Sequence, residues 1–229
     1  MRSFVAGHVL LASLAMLSPS AASADMVLSQ VIVDLEPNEA PRDDIEVSNT
    51  GSERMYVLAE PFEILNPGTR EESRVDARDP LAAGLLVSPQ RIVLAPGERR
   101  VIRVALAGVR PARERVYRVA IRPVAGEVTS EVSAVKVLVG YDVLVLARPA
   151  QATDALTSER VGRALLIRNE GNASQEIFDG KQCDGEGKDC RALPAKRLYA
   201  GAIWEQTLPH DTPAHFSVAR GSRVTKLAF

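Results

Sequence analysis

The chain has 229 residues and a formal net charge of −1, with 46% hydrophobic and 25% charged residues. Its arginines are scattered rather than massed in a basic tail, which excludes the strong positive field of a nucleic-acid-binding protein. After an apolar run at residues 4–17, no stretch reaches the roughly 20 uncharged apolar residues that a membrane-spanning helix needs, so membrane insertion of the mature chain is not expected.

The first 24 residues have the layout of a cleavable export signal. Arg2 supplies a positive start, an apolar run follows, and the small residues Ala22 and Ala24 stand just before Asp25. We therefore expect residues 1–24 to be removed and the rest, from about Asp25 to Phe229, to be exported. The remaining chain, about 205 residues, fits one large or two small domains.

The next part of the chain predicts strands. Apolar residues alternate with polar ones or form short blocks closed by Gly, Pro, Asn and Asp, and helical periodicity is almost absent. The pattern predicts strands at 26–35, 43–51, 54–65, within 85–109, at 114–124 and in a ribbon at 130–149, with an irregular polar segment at 71–84. About seven strands at this spacing indicate an immunoglobulin-like sandwich, which we assign to residues 25–149.

A second domain is expected at residues 150–229. The sequence becomes polar after Arg148 and Pro149, and further predicted strands follow. They are predicted at 163–171, 174–183, 197–208, 215–221 and 223–229. The fold class is therefore all-β, with two domains.

Cys183 and Cys190 are the two cysteines, and they flank a glycine-rich turn. In an exported protein such a pair predicts a disulfide that staples a hairpin. The alternative is a zinc site completed by His210 and His215. The six, nineteen and four intervening residues miss the compact spacing of structural zinc sites, so no metal is predicted.

Catalytic patterns are missing from the exported part of the chain. Its two histidines, His210 and His215, both lie in a turn-like region near the C-terminus. No nucleophile elbow, metalloprotease helix or phosphate-binding glycine loop is found. The sequence therefore indicates a binding module rather than an enzyme, with no cofactor.

The ribbon "SEVSAVKVLVGYDVLVLARP", residues 130–149, is unusually long. An unbroken strand of that length would span roughly 60 Å, whereas ordinary strands have about five or six residues. Val135, Val137 and Val139 alternate on one face, in phase with Val143 and Val145. An ordinary central strand with a long loop is the plain alternative.

Several stretches together resemble a known family. They are "NPGTREESRVD" at 66–76, "GLLVSPQRIVLAPGERRVIRV" at 84–104, "ERVYRVAI" at 114–121, the ribbon ending "LVLARP", "IRNEGN" at 167–172 and "RLYAGAIWEQTLP" at 197–209. In them the chain resembles the PapD-like periplasmic pilus chaperones of the chaperone–usher pathway, in the alternative, alpha-type branch that serves CFA/I-like fimbriae.

The resemblance implies two immunoglobulin-like sandwiches in a boomerang arrangement. Such a chaperone folds and caps pilin subunits by lending them a strand, and delivers them to an outer-membrane usher. The lent strand would be the first half of the ribbon, with Val135, Val137 and Val139 filling pockets of the subunit. The implied partners are pilin subunits and the usher, or a second copy in a self-capping homo-oligomer; no cofactor is implied.

The resemblance also implies a carboxylate anchor for the pilin C-terminus. The better-known members use an arginine on the first strand and a lysine on the ribbon. Those positions fall near Gln30 and at Leu144, and neither is basic. Arg118 and Arg122 on the strand "VYRVAIR" are the candidate replacements, with a solvated strand face as the plain alternative.

A buried acid–arginine–acid cluster between the domains is a further implied feature. Glu114, Arg148 and Asp211 match its positions. Two other kinds of protein stay open at this point. One is a pilus subunit or adhesin, for which residues 26–35 could act as a donor extension, and the other is an unrelated two-domain β binding protein.

Overall fold

The structure, a computed structural model, describes residues 25–124 and 138–229, which form an almost entirely β protein. The predicted signal, residues 1–24, and the ribbon residues Val135 and Val137 lie outside the described residues. In the described ranges the strands before Arg148 are β1 Met26–Leu28, β2 Ile32–Leu35, β3 Arg42–Asn49, β4 Met55–Leu65, β5 Ser73–Asp76, β6 Leu85–Ser88, β7 Arg91–Leu94, β8 Arg99–Leu106, β9 Arg115–Val124 and β10 Tyr141–Ala147. Those after it are β11 Leu156–Val161, β12 Ala164–Asn169, β13 Gln175–Cys183, β14 Cys190–Leu193, β15 Lys196–Leu198, β16 Ile203–Thr207, β17 His215–Arg220 and β18 Arg223–Ala228.

The strands before Arg148 form two facing sheets. The four-stranded sheet has the order β1-β3-β8-β6, and the six-stranded sheet has the order β2-β10-β9-β4-β5 with β7 beside β4. Alternation decides which side chains form the core. In β3, Ile45 and Val47 are fully buried, while the intervening Glu46 is partly exposed. The predicted sandwich is present.

The second half of the ribbon is β10, an interior strand of the six-stranded sheet. It pairs antiparallel with β9 and parallel with β2. Val143 and Val145 are completely buried in the first core, as expected from the alternation. Leu144 and Leu146 point to the opposite side of the sheet and join a separate apolar cluster. We call this side the outer face of the six-stranded sheet.

The single strand predicted at 26–35 is wrong, because the chain changes sheets within it. Met26–Leu28 pairs with β3 in the four-stranded sheet, and Ile32–Leu35 pairs with β10 in the six-stranded sheet. Gln30 lies at the crossover, where its side-chain amide donates to the Asp43 carboxylate at 3.0 Å. Continuous apolar character conceals such a switch, since both halves are half-buried strands.

The segment predicted to be irregular, 71–84, contains a short edge strand and one helical turn. All four residues of β5 are exposed, so no alternation marks it in the sequence. The turn α1, Pro80–Ala83, is capped by Asp79, whose carboxylate accepts from the Leu81 N–H at 3.0 Å. Among the described residues no helix is long and apolar enough to cross a membrane.

The strands after Arg148 form a second, smaller sandwich. A three-stranded sheet, β11-β12-β16, faces a sheet ordered β14-β13-β17-β18 with β15 beside β13. Its core has an aromatic centre in which Trp204 and Phe229 contact Phe216, with ring centroids 6.0 and 5.9 Å apart. Strand β11 is absent from the sequence-based prediction, because it is a polar edge strand in which only Leu156 packs against the core.

The predicted disulfide between Cys183 and Cys190 is confirmed. It joins directly opposed residues of the β13–β14 hairpin. Both sulfur atoms are therefore used, and the zinc alternative is left without its cysteine ligands. His210 lies beside the hairpin, with its Nε2 3.6 Å from an Asp189 carboxylate oxygen, while His215 is exposed on β17.

Candidate functional site

A buried arginine lies at the junction of the two sandwiches. Arg148 directly follows β10, and its side chain is only 2% exposed. Its Nε and Nη2 donate to the two carboxylate oxygens of Asp34, each at 2.7 Å. Its Nη1 donates to Glu114 Oε2 at 2.6 Å and to the Ser174 carbonyl at 2.9 Å. Ser174 immediately precedes β13, so this guanidinium joins both sandwiches.

Strand register explains why these acids meet Arg148. Asp34 on β2 is paired with Leu146, and Glu114 directly precedes β9 at the end that is paired with the end of β10. A third acid, Glu36, has a carboxylate oxygen 3.9 Å from Arg148 Nε. The site thus holds three carboxylates around one guanidinium.

Burial and charge act against each other at this junction. Burial alone would lower the pKa of Arg148, but its hydrogen bonds to Asp34 and the charges of Glu114 and Glu36 outweigh burial and raise that pKa. Arg148 therefore stays charged. Burial, followed by the negative charge of Asp34, raises the pKa of Glu36, although Arg148 opposes the shift.

The predicted cluster requires one correction. The structure brings Glu114 to Arg148 but does not bring Asp211 there; Asp34 takes that place. Asp211 is exposed in the loop between β16 and β17. The backbone oxygens on either side of it accept hydrogen bonds from Arg160, which holds this loop elsewhere in the second sandwich.

An apolar cluster covers the outer face of the six-stranded sheet next to the junction. Its buried members are Ile64, Val116, Leu144 and Leu146, and Tyr199 of the second sandwich packs against them. Burial raises the pKa of the Tyr199 hydroxyl, and the nearby positive charge of Arg118 opposes that shift. The outer face is therefore shared between the two sandwiches.

The two candidate anchors have different surroundings on this face. Arg118 is opposite Leu144 in the β9–β10 register, so it lies beside the ribbon position at which the resemblance implies a lysine. Its Nη1 donates to the Asp142 carbonyl at 3.1 Å, and its Nε is 3.9 Å from an Asp142 carboxylate oxygen. Arg122 instead donates from Nε and Nη2 to a Glu60 carboxylate oxygen, at 3.1 and 2.8 Å. A ligand would have to compete with Glu60 for Arg122.

Sequence reasoning missed a third arginine of this face. Arg74, on the exposed strand β5, donates to the two carboxylate oxygens of Asp142 at 2.9 and 3.3 Å. Its guanidinium carbon also lies 4.1 Å from the centroid of the Phe62 ring. No signal in the polar stretch around Arg74 points to this contact, because β5 has no apolar alternation.

Only the end of the ribbon's first half falls within the described residues. Val139 precedes β10 and is 50% exposed, and Leu138 is 40% exposed. Neither belongs to a strand of the described residues. The assignment of Val135, Val137 and Val139 as a lent strand stays a prediction.

No family model matches the chain. Among curated proteins it is similar to a CFA/I fimbrial subunit of Escherichia coli, with 28% identity over 202 residues that cover 83% of this chain and 81% of the relative. It is also similar to a CS1 fimbrial subunit of Escherichia coli, with 26% identity, covering 76% of this chain and 77% of the relative.

Solved structures give the fold. The class 5 fimbriae chaperone CfaA matches with a TM-score of 0.66 and 23% identity over 89% of this chain and 98% of that chain. A structure from work on a chaperone–tip adhesin complex of CFA/I fimbriae biogenesis matches with a TM-score of 0.65 and 22% identity, covering 90% of this chain and 98% of that chain. The chain thus has the two-domain β-sandwich fold of the fimbrial chaperones, and the predicted all-β fold class is confirmed.

Proposed function

We propose that this protein is a periplasmic chaperone that captures fimbrial subunits by lending them a strand and passes them to an outer-membrane usher. The carrying observation is the similarity of both sandwiches to the class 5 fimbriae chaperone, over 98% of its length. We also propose that the domains divide at Pro149, which lies between the end of β10 at Ala147 and the start of β11 at Leu156.

The ribbon supports the strand-lending step. Strands β9 and β10 are paired neighbours, and residues 125–140 connect them. The sequence of this connection ends in alternating apolar residues, among them Val135, Val137 and Val139. A strand lent to a subunit needs this pattern, because its main chain pairs with an open sheet edge while alternate side chains fill apolar pockets.

The outer face supports a docking position for the subunit's terminal carboxylate. Arg118 lies beside the apolar cluster, next to Leu144, and its side chain is 35% exposed. Charge-assisted hydrogen bonds from a guanidinium to a carboxylate are stronger than neutral ones. We propose Arg118 as the anchor and rank Arg122 as the weaker candidate, because its guanidinium is already paired with Glu60.

We also propose that the protein acts in the periplasm and that it catalyses no reaction. Residues 1–24 would direct export and then be removed. The Cys183–Cys190 disulfide suits an oxidising compartment such as the periplasm. Capture and release would occur by exchange of one strand for another, so no catalytic residue or cofactor takes part.

A second candidate function has one observation in its favour. Both curated relatives are named as fimbrial subunits. A structural subunit would polymerise by itself, whereas a chaperone would form a discrete complex with a subunit of different sequence. Sizing the purified protein by light scattering, alone and after coexpression with subunits encoded nearby, separates the two.

The test of strand lending is Val137→Asp. A charged side chain in an apolar pocket of the subunit would cost several kcal/mol, so we expect the variant to lose its coexpressed subunit in a periplasmic pull-down. Its own melting curve should not change.

Val109→Asp is the matched control, because Val109 is 99% exposed in the same sandwich. It should retain the subunit. Normal co-purification of a subunit with Val137→Asp would overturn the assignment of the lent strand.

A further inference from the structure

Three charged side chains form a group on the outer face that the proposed anchor alone does not explain. Arg74 comes from the edge strand β5, Arg118 from β9 and Asp142 from β10. Both arginines are ion-paired with the one carboxylate of Asp142. Two positive charges therefore share one negative charge.

The sharing is unequal. Arg74 makes two hydrogen bonds to the Asp142 carboxylate, at 2.9 and 3.3 Å. The Arg118 Nε stays 3.9 Å from it, beyond hydrogen-bonding distance. Within residues 25–124 and 138–229, Arg118 donates its hydrogen bond to the Asp142 backbone oxygen. Arg118 thus keeps donors for another carboxylate.

The surroundings of Arg74 and Arg118 favour the binding of an anion, and they leave both side chains accessible to it. The Phe62 ring lies under Arg74, and the buried Leu144 side chain flanks Arg118. Apolar neighbours reduce competition from water and strengthen the attraction between the charges. The side chains of Arg74, Asp142 and Arg118 are nevertheless 39%, 48% and 35% exposed, so a carboxylate of a partner peptide can reach them.

We infer that Asp142 is a built-in competitor for the anchor, and that Arg74 limits this competition by holding Asp142 away from Arg118. The inference rests on the proposed function for its biological ligand, the carboxylate of a captured subunit. Neutralising Asp142 would remove a negative charge that repels this carboxylate. Removing Arg74 would let Asp142 turn to Arg118 and block it.

Acetate is the probe, because it carries the carboxylate and nothing else. The side-chain Nε–Hε resonance of Arg118, assigned with Arg118→Lys, is followed by NMR in the full mature chain as acetate is added. We expect Asp142→Asn to lower the apparent acetate dissociation constant at Arg118 about two- to fivefold, the range of one partly exposed charge interaction. Arg74→Gln should raise it.

Asp44→Asn is the matched control. Asp44 makes a similarly exposed pair with Arg103 on the four-stranded sheet, with two hydrogen bonds of 2.8 Å each. It should leave the Arg118 titration unchanged. Equal dissociation constants for Asp142→Asn and Asp44→Asn, or tighter acetate binding by Arg74→Gln, would overturn the inference.

The titration is independent of subunit capture. If it succeeds while Val137→Asp still captures its subunit, the anion site stands and the strand-lending proposal falls. If it fails while capture depends on Val137, only the role of Asp142 falls.

Discussion

The junction around Arg148 and the outer face around Arg118 use the same residue type for opposite purposes. Arg148 is 2% exposed, and acids together with a backbone carbonyl of the second sandwich surround its guanidinium. Arg118 is 35% exposed and shares one acid with Arg74. The first site is closed and holds three carboxylates around its guanidinium, whereas the second is open and pairs two guanidinium groups with one carboxylate. A closed charge cluster fixes a structure, and an open one can bind a ligand.

The largest expected effect comes from breaking the closed site. Arg148→Ala leaves the buried carboxylate of Glu114 without its cation, so the free energy of unfolding should fall by about 3–5 kcal/mol. Urea unfolding followed by circular dichroism measures this loss. Arg103→Ala, which breaks an exposed pair with Asp44, should lower the free energy of unfolding far less, because solvent screens that pair. Equal losses in the two variants would contradict the contrast between closed and open sites.

A smaller effect tests how closely the three acids are packed at the junction. Glu36 has a raised pKa in the folded protein, so its ionisation destabilises the fold as the pH rises through that folded pKa. Glu36→Gln should therefore raise the free energy of unfolding at neutral pH, by no more than about 1 kcal/mol because the group is partly solvated. The gain should vanish in acid, where the native glutamate is protonated in both states. If the stability gained by Glu36→Gln instead grew as the pH falls, the pKa of Glu36 would be lowered rather than raised in the folded protein.

The smallest expected effect concerns Arg122. Its charge is taken up by Glu60, so Arg122→Gln should change stability by no more than about 0.5 kcal/mol. It should also leave acetate binding at Arg118 unchanged. Loss of acetate binding in this variant would show that Arg122, and not Arg118, completes the open site.

Alternation along the chain is enough to predict much of the fold. It identifies β3 and β9 and places Val143 and Val145 of β10 in the first core, because each of these strands has at least one buried face. It fails where no side chain is buried, as in β5, and where the chain changes sheets, as between β1 and β2. The two failures have different causes, since β5 leaves no periodic apolar signal whereas continuous apolar character conceals the crossover between β1 and β2.

The candidate site is predictable only in part. The resemblance implies Arg148 and Glu114 as members of one cluster, and the structure brings them together. Asp34 and Arg74 are missed because only the strand pairing brings them to their partners. Asp211 is suggested by resemblance, but a hydrogen-bonded loop keeps it in the second sandwich.

The most direct test of the contrast between the buried Arg148 and the exposed Arg118 is subunit capture by the Arg118→Ala variant. The amount of fimbrial subunit that co-purifies from the periplasm is measured per amount of folded variant. Charge-assisted hydrogen bonds contribute about 1.5–3 kcal/mol, so capture affinity should fall roughly tenfold or more while the melting temperature stays nearly unchanged. Normal capture by Arg118→Ala would contradict the assignment of the open site as the place where the subunit is anchored.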